Sequence, residues 1–403
     1  VTAARARSGP LAGIPLLEDL PPLDGTRVLV RADFNVPLVR PASGGPLVVE
    51  DDFRIRAALP TIHWLQEQGA LITACTHLGR PRGSTDPRFD VAPVRARLQE
   101  LASGVDLLPN LRLDPGEEAD DEAFVERLVT GFDAYVNDAF GVSHRAHASV
   151  VGPPTRLPSA AGRLLAREVE MLGRLLVDPP RPFVAVVGGA KVVDKLGVLG
   201  ALLLRVDHLL IGGGMAFSFL FAEGHTVGSS ILDTADIAAC KDLVQSAGTR
   251  LVLPEDFVAL APDGALGTGD AGSGATSTVG TDVPDGWKGV DIGPQTRRVF
   301  ADILARAGTI FWNGPLGCFE DARFAAGTAA VAETIAGTSA FSVVGGGDTV
   351  AALDELRLAD QVSFVSTGGG ASLELIEHGD LPGLRALRGA ANAPARHHEG
   401  AAR

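Results

Sequence analysis

Lysine is scarce in this chain. Of 35 basic residues in 403, only Lys191, Lys195, Lys241 and Lys288 are lysines, and the other thirty-one are arginines. Cysteine is scarcer still. Cys75, Cys240 and Cys318 are odd in number, widely spaced and free of any CxxC pair, so neither a disulfide framework nor a zinc site is expected, and a reducing cytoplasm is the default location. No long hydrophobic run exists. The longest candidate, 196–221, is interrupted by Arg205, Asp207, His208 and three consecutive glycines, so no membrane span is expected. Residues 1–15 hold arginines and a Pro/Gly break but no apolar core, which argues against a signal peptide. Net positive charge is missing too. A formal charge of -14 with a pI near 5.1 repels nucleic acid and anionic membranes in the far field, leaving small anions as ligands wherever positive groups cluster locally. Neither GxGxxG nor GxxxxGK[ST] occurs, which disfavours a nicotinamide-dependent oxidoreductase and a Walker-type site.

What is present is a rhythm of short apolar runs alternating with helical patterns. Candidate strands at 27–31, 71–75, 105–108 and 134–137 in the first half, and at 183–187, 208–211, 250–253, 309–312, 341–344 and 361–365 in the second, predict βαβ units and parallel sheets. The length suggests about two domains of roughly 150 to 200 residues. Between them Ser159 reads as the cap of a longer helix with apolar positions Leu165, Val169, Leu172 and Leu176, ending at the proline cluster 179–182. Residues 261–280 read as a surface loop and 388–403 as a frayed tail.

Four of the second-half strands run into glycine clusters, at 188–189, 212–214, 345–347 and 368–370. In a parallel sheet all four turns share the carboxyl edge, where backbone N–H groups and helix N-termini receive anions. Half of the lysines stand in one of these turns. Lys191 and Lys195 are read as the first turn of a helix, four apart on one face, where compact ammonium groups rather than guanidinium are wanted. In the first half, Asp33 and Asn35 close a strand, as turn formers or as holders of a substrate hydroxyl. His77 and Arg80 follow the next strand, and Arg54, Arg112 and Arg145 extend the series toward a pocket for a phosphate and a carboxylate. Asp348, directly after three glycines, is read either as a helix cap or as the carrier of a nucleotide's magnesium; Glu320 is a candidate acceptor for ribose hydroxyls.

Ten segments, in order, then resemble the phosphoglycerate kinase family: VLVRADFNVPL, THLGRP, NLR, YVNDAFGVSHRAHAS, VVGGAKVVDKL, GGGMAFSFL, VPDGWKGVDIGP, FWNGPLGCFE, VGGGDTVAAL and STGGGASLELIE, spanning 28–377. The resemblance implies an α/β fold of two Rossmann-like domains, each a parallel sheet flanked by helices, joined by a helix across a central cleft. On this chain it implies a substrate domain at 1–158 with 370–403 packing back on it, an interdomain helix at 159–178 and a nucleotide domain at 179–369. It implies reversible transfer of the acyl phosphate of 1,3-bisphosphoglycerate to Mg-ADP, giving 3-phosphoglycerate and ATP, directly and after domain closure. The other reading on the same fold is a non-catalytic nucleotide-binding or scaffold protein, against which the intact Lys191, Arg54 and Asp348 speak.

The residues implied for 3-phosphoglycerate are Asp33, Phe34, Asn35, Arg54, His77, Leu78, Gly79, Arg80, Arg112 and Arg145. Those implied for the nucleotide are Lys195, Gly213, Gly214, Gly289, Asn313, Glu320, Gly346, Gly347, Asp348 and Thr349, with Asp348 and the nucleotide phosphates holding Mg2+. Arg54, Lys191, Gly347 and Gly369 are implied in the transfer step, with Lys191 following the phosphoryl group in flight. A cytoplasmic monomer that binds neither nucleic acid nor membrane completes the expectation. Thr76, Pro109, Glu255 and Gln295 depart from the family's usual serine, glutamate, apolar residue and lysine, and none of them removes a catalytic group.

Overall fold

The computed structural model describes residues 8–82 and 86–392. The chain divides into two compact units, Val1–Gly173 with Asp380–Arg403, and Arg174–Gly379.

The first unit is built on the parallel runs that the apolar pattern marks. Its strands are β1 (Arg27–Arg31), β4 (Leu71–Cys75), β5 (Asp106–Leu107), β6 (Ala134–Asn137) and β7 (Ser159–Ala161), with a small hairpin of β2 (Leu38–Val39) and β3 (Val48–Val49) outside the main sheet. The sheet order is β5-β4-β1-β6-β7, all parallel. Alternate residues of β1 feed opposite faces. Val28 and Val30 pack with Ile55, Ile62, Leu65, Val94 and Leu98 of two helices, Phe53–Glu67 and Ala92–Leu101. Leu29 packs with Phe124, Val125 and Leu128 of the helix Glu122–Val129 on the other face. Burial on both faces is why these strands read as unbroken apolar runs.

The second unit repeats the plan with β8 (Phe183–Val187), β9 (His208–Ile211), β10 (Leu251–Val252), β14 (Thr309–Asn313), β15 (Phe341–Gly345) and β16 (Phe364–Val365). The order is β10-β9-β8-β14-β15-β16, again parallel throughout. Beside it lies an antiparallel sheet of β11 (Asp256–Leu260), β12 (Thr276–Gly280) and β13 (Lys288–Ile292). In each unit the first strand is central and later strands add to one side and then the other. The direction of winding therefore reverses between β1 and β6 and between β8 and β14, and ligands of doubly wound sheets bind in the crevice beyond such points.

Several expectations need correction. Ser159 is not a cap; it pairs with Tyr135 as the first residue of β7. The helix starts at Arg163, runs to Leu176, and is capped from elsewhere: Thr61 Oγ1 accepts from Arg163 N at 2.8 Å, and Asp138 Oδ1 from Leu164 N at 2.9 Å and Leu165 N at 3.2 Å. Leu175 rather than Leu176 is fully buried. The supposed loop 261–280 contains β12, whose exposed Ser/Thr face gives no apolar signal. The frayed tail is corrected in part, because Pro382–Asn392 is helical; the rest of 388–403 lies outside the described residues. The returning segment belongs to the first unit from Asp380, not 370, because the helix Gly369–His378 stays with the second. Lys191 is not helical: it lies exposed in irregular backbone, and only Val193–Lys195 forms a 3-10 turn ahead of the helix Leu196–Leu203.

Candidate functional site

Two constellations sit at the two reversal points. In the first unit, β1 ends at Arg31 and hands Asp33, Phe34 and Asn35 to the carboxyl edge, while β4 ends at Cys75 and delivers His77, Leu78, Gly79 and Arg80 beside them. The loops are laced together. Phe34 N donates to Thr76 Oγ1 at 2.9 Å, Gly79 N to Asn35 Oδ1 at 2.8 Å and Leu78 N to Asn110 Oδ1 at 3.1 Å. The hydroxyl that ties β1 to β4 therefore comes from Thr76, and a serine would supply the same acceptor.

Arg54 Nη1 donates to Asp33 Oδ2 at 2.7 Å while its side chain stays 32% exposed, so it is held in place yet open to a ligand. Arg112 is buried, donates from Nη1 to Gly79 O at 2.8 Å and lies 3.2 Å from Glu118 Oε1. Arg145 is half-buried and donates to His144 Nε2 at 3.2 Å, whereas Arg80 is exposed.

Burial governs the acids and bases here. Desolvation pushes Asp33 up, but Arg54, His77 and Arg31 together more than reverse it and hold the carboxyl below its ordinary range. Desolvation first, then Arg31, Arg112 and Arg54, hold His77 well below the usual histidine value against the pull of Asp33. Burial, Arg145 and His147 bring His144 to about 4, and burial above all lowers His147. The positive charge of this patch is therefore carried by arginines at neutral pH.

Beneath this patch lies a buried network that the sequence pattern conceals. Arg31, Glu117 and Ser149 are fully buried, with Arg31 Nε donating to Ser149 Oγ at 2.9 Å and Ser149 Oγ to Glu117 Oε1 at 2.6 Å. Arg31 and Ser149 stand inside the quoted motifs and Glu117 between two of them, but charged side chains in a pattern read as solvated surface.

The second constellation is made largely of backbone. Gly188 follows β8, Gly212 follows β9, Asn313 and Gly345 end β14 and β15, and β16 leads to Gly368. All four glycine clusters thus lie on one carboxyl edge. Gly213 has φ +67°, and a Cβ there would stand 2.7 Å from Gly189 N; one on Gly369 would stand 2.6 Å from Gly346 Cα. Glycine is required at both by close approach. Two helices, Gly347–Glu355 and Gly369–His378, begin at that contact, so two positive helix ends point into one space. Asn313 borders it, with its Nδ2 buried and unpartnered, as a waiting donor would be.

Lys195 is anchored here, its Nζ donating to Gly188 O at 2.6 Å and lying 3.4 Å from Asn313 Oδ1. Burial lowers its pKa to about 8, against the opposing pull of Asp348 and Asp194. Lys191 makes no hydrogen bond or ion pair among the described residues and is exposed. Thr349 is buried and accepts from Gly314 N at 2.7 Å, a structural tie between β14 and the helix that starts at Gly347. The cap position is Gly346, so Asp348 is not the cap; it is exposed in the first turn.

Gly214 approaches Ala190, while Gly289 and Glu320 stand apart from this cluster in their bonding. Gly289 N donates to Ser230 Oγ at 2.9 Å, and its missing Cβ makes room for the Phe217 ring. Glu320 is exposed and accepts from Cys318 Sγ at 3.5 Å.

An arginine pocket and a glycine cradle on two doubly wound sheets define a phosphotransferase, and comparison with known proteins says of which kind. The family model for phosphoglycerate kinase matches residues 17–107 and 102–379. A phosphoglycerate kinase of Salinispora arenicola is 49% identical over 395 residues, covering 90% of this chain and 96% of that protein, and one of Rubrobacter xylanophilus is 47% identical over 388 residues, covering 91% and 96%. The solved structure of phosphoglycerate kinase from Coxiella burnetii, 36% identical, covers 94% of this chain and all of that one with a TM-score of 0.80; that from Pyrococcus horikoshii OT3, 28% identical, covers 94% and 99% with 0.81. The chain belongs to the phosphoglycerate kinase family.

Proposed function

We propose that the first unit binds 3-phosphoglycerate or its 1,3-bisphosphate, that the second binds Mg-ADP or Mg-ATP, and that the phosphoryl group passes directly between them. The observation that carries this division is the contrast at the two reversal points: arginines set among carboxylates at the end of β1, backbone donors and a lysine at the end of β8. Guanidinium suits the phosphate and hydroxyl-bearing chain of a small acid, held by Arg112, Arg145, Arg80 and the Asp33–Asn35 pair. Glycine amides and helix ends suit a polyphosphate that must approach the backbone closely.

In the transfer the bond from phosphorus to the acyl oxygen breaks as the bond to the terminal oxygen of ADP forms, with no covalent enzyme intermediate. Lys191, unanchored, follows the phosphoryl oxygens; Lys195, anchored on Gly188, neutralises the nucleotide phosphates; Arg54 approaches from the other unit; the amides near Gly347 and Gly369 receive the charge. The two half-sites must meet during turnover, and closure excludes water that would hydrolyse an acyl phosphate. Ser366, Thr367 and the helix Arg163–Leu176 are candidates for the hinge.

Among the described residues no cluster of three or more acidic, histidine or cysteine side chains can hold a metal. A lone exposed carboxylate at Asp348, opposite nucleotide phosphates, fits the way Mg2+ is bound through one or two carboxylates and retained water. When bound, Mg2+ would neutralise charge on the nucleotide phosphates. No described helix is long and apolar enough to cross a membrane, and we place the protein in the cytoplasm as a monomer. A coupled assay with 3-phosphoglycerate and Mg-ATP tests the reaction. Turnover well above background is expected, and none from correctly folded protein would overturn the reading.

A further inference from the structure

Arg31, the last residue of β1, is a permanently charged group with no solvent exposure. Such a group persists only if its donors are engaged. Nε donates to Ser149 Oγ at 2.9 Å and Nη1 to Ala32 O at 2.5 Å. Nη2 lies 3.3 Å from His77 Nδ1 and 4.0 Å from Glu117 Oε1. Glu117 in turn fixes Ser149, accepting from its Oγ at 2.6 Å and its backbone N at 2.9 Å. The serine proton goes to Glu117, so its lone pair is free to accept from Arg31.

Guanidinium offers only donors, so a contact with an imidazole nitrogen requires that nitrogen to be the acceptor. Asp33 Oδ1 competes for the same Nδ1, since a carboxylate would ask that nitrogen to carry a proton. The distances decide the contest: Asp33 stands 3.8 Å away, beyond hydrogen-bond reach, and already accepts from Arg54 at 2.7 Å and from Asn35 N at 3.3 Å.

We propose that Arg31 is a positioning residue which, held by Ser149 and Glu117, fixes His77 as the neutral tautomer protonated on Nε2, so that the ring donates to phosphoglycerate rather than accepting from it. Among the described residues Nε2 has no hydrogen-bond partner. The charged groups that face the ring are Asp33 and Arg31 from β1 and its following turn, Arg54 from the helix Phe53–Glu67, and Arg112 from the turn Leu111–Leu113. Three of the four are cations, and with burial they keep the ring neutral. The part played toward the substrate rests on the proposed placement of phosphoglycerate in this unit; the tautomer does not.

The test is nitrogen-15 NMR of the histidines in the full ligand-free chain, paired with the KM for 3-phosphoglycerate across pH. In the parent, His77 should show an unprotonated Nδ1 and a protonated Nε2, unchanged from about pH 6 to 8. Removing Arg31 alone would strand Glu117 as a buried charge, so the variant is Arg31→Met with Glu117→Gln. There Nδ1 should take a proton shared with Asp33, the ring should hold its proton to higher pH than in the parent, and KM should rise about fivefold from pH 6 to 8 as its charge is lost. Arg31→Lys, which keeps a donor, should return most of the parent's flat profile. A protonated Nδ1 or an imidazolium in the parent would overturn the proposal, as would a double variant with unchanged tautomer and flat KM. If the chain shows no phosphoglycerate turnover at all, the functional reading fails while the NMR spectrum still decides the tautomer.

Discussion

The two units present positive groups by opposite means from the same plan. At the end of β1 the positive groups are side chains, three of them tied to a carboxylate or carbonyl: Arg54 to Asp33, Arg112 to Gly79 and Glu118, Arg31 to Glu117 beside Ser149. At the end of β8 the donors are backbone amides and helix ends, with one anchored and one unanchored lysine. A pre-paired arginine pocket is stiff and selects one geometry; a glycine cradle lets a polyphosphate lie close and leaves a mobile charge free to move with it. In the proposed reaction the stationary substrate and the group in flight would thus meet different kinds of cation.

The largest effect should come from the unanchored lysine. Lys191→Ala is expected to lower kcat by about 10³-fold or more with the nucleotide Kd within about twofold of the parent, because the proposed role confines its contribution to the transition state. An unchanged kcat in single-turnover kinetics would remove it from the transfer step.

A smaller effect separates the units by pH. Lys195, with its pKa at about 8, is charged below that value and neutral above it, so the KM for the nucleotide should rise several-fold between about pH 7 and 9. The KM for 3-phosphoglycerate should stay flat between about pH 6 and 8, because His77, His144 and His147 are all held below their ordinary value. Initial-rate profiles for each substrate at saturating levels of the other check both halves.

The smallest effect concerns stability. Each unit buries a carboxylic acid against a helix start: Asp138 accepts from Leu164 and Leu165, and Asp291 accepts from Gly327 N at 2.6 Å. Burial raises both to about 7 from 3.8. Between those values the folded chain keeps a proton that the unfolded chain has lost, so stability falls as pH rises from about 4 to 7 and levels off above. Asp138→Asn should therefore raise Tm at pH 8 by roughly 2 °C or more and leave it nearly unchanged near pH 5. A variant that loses Tm equally at both values would show that the acid's second oxygen, not its charge, matters.

How much of this was legible depends on the period of each element. The parallel strands announced themselves because both faces are buried: every residue of Phe183–Val187 is both apolar and buried. The glycine clusters and the arginines after β1 and β4 followed from strand ends alone. β12 gave no such signal, because its Thr276–Gly280 run is mostly exposed and rich in serine and threonine. Ser159 read as a cap by type, yet the true caps, Thr61 and Asp138, come from elements distant in sequence. Arg31 was missed for the same reason: its partners His77 and Ser149 are 46 and 118 residues away, and only the fold makes a buried charge tenable.

The division of labour between the units is tested most directly by calorimetric titration of two single variants with each ligand separately. Arg112→Ala should weaken 3-phosphoglycerate by about 10-fold or more and leave Mg-ADP within about twofold, and Lys195→Ala should do the reverse. A variant that weakens both ligands alike, or the wrong one, would contradict the assignment of the arginine pocket and the glycine cradle to different substrates.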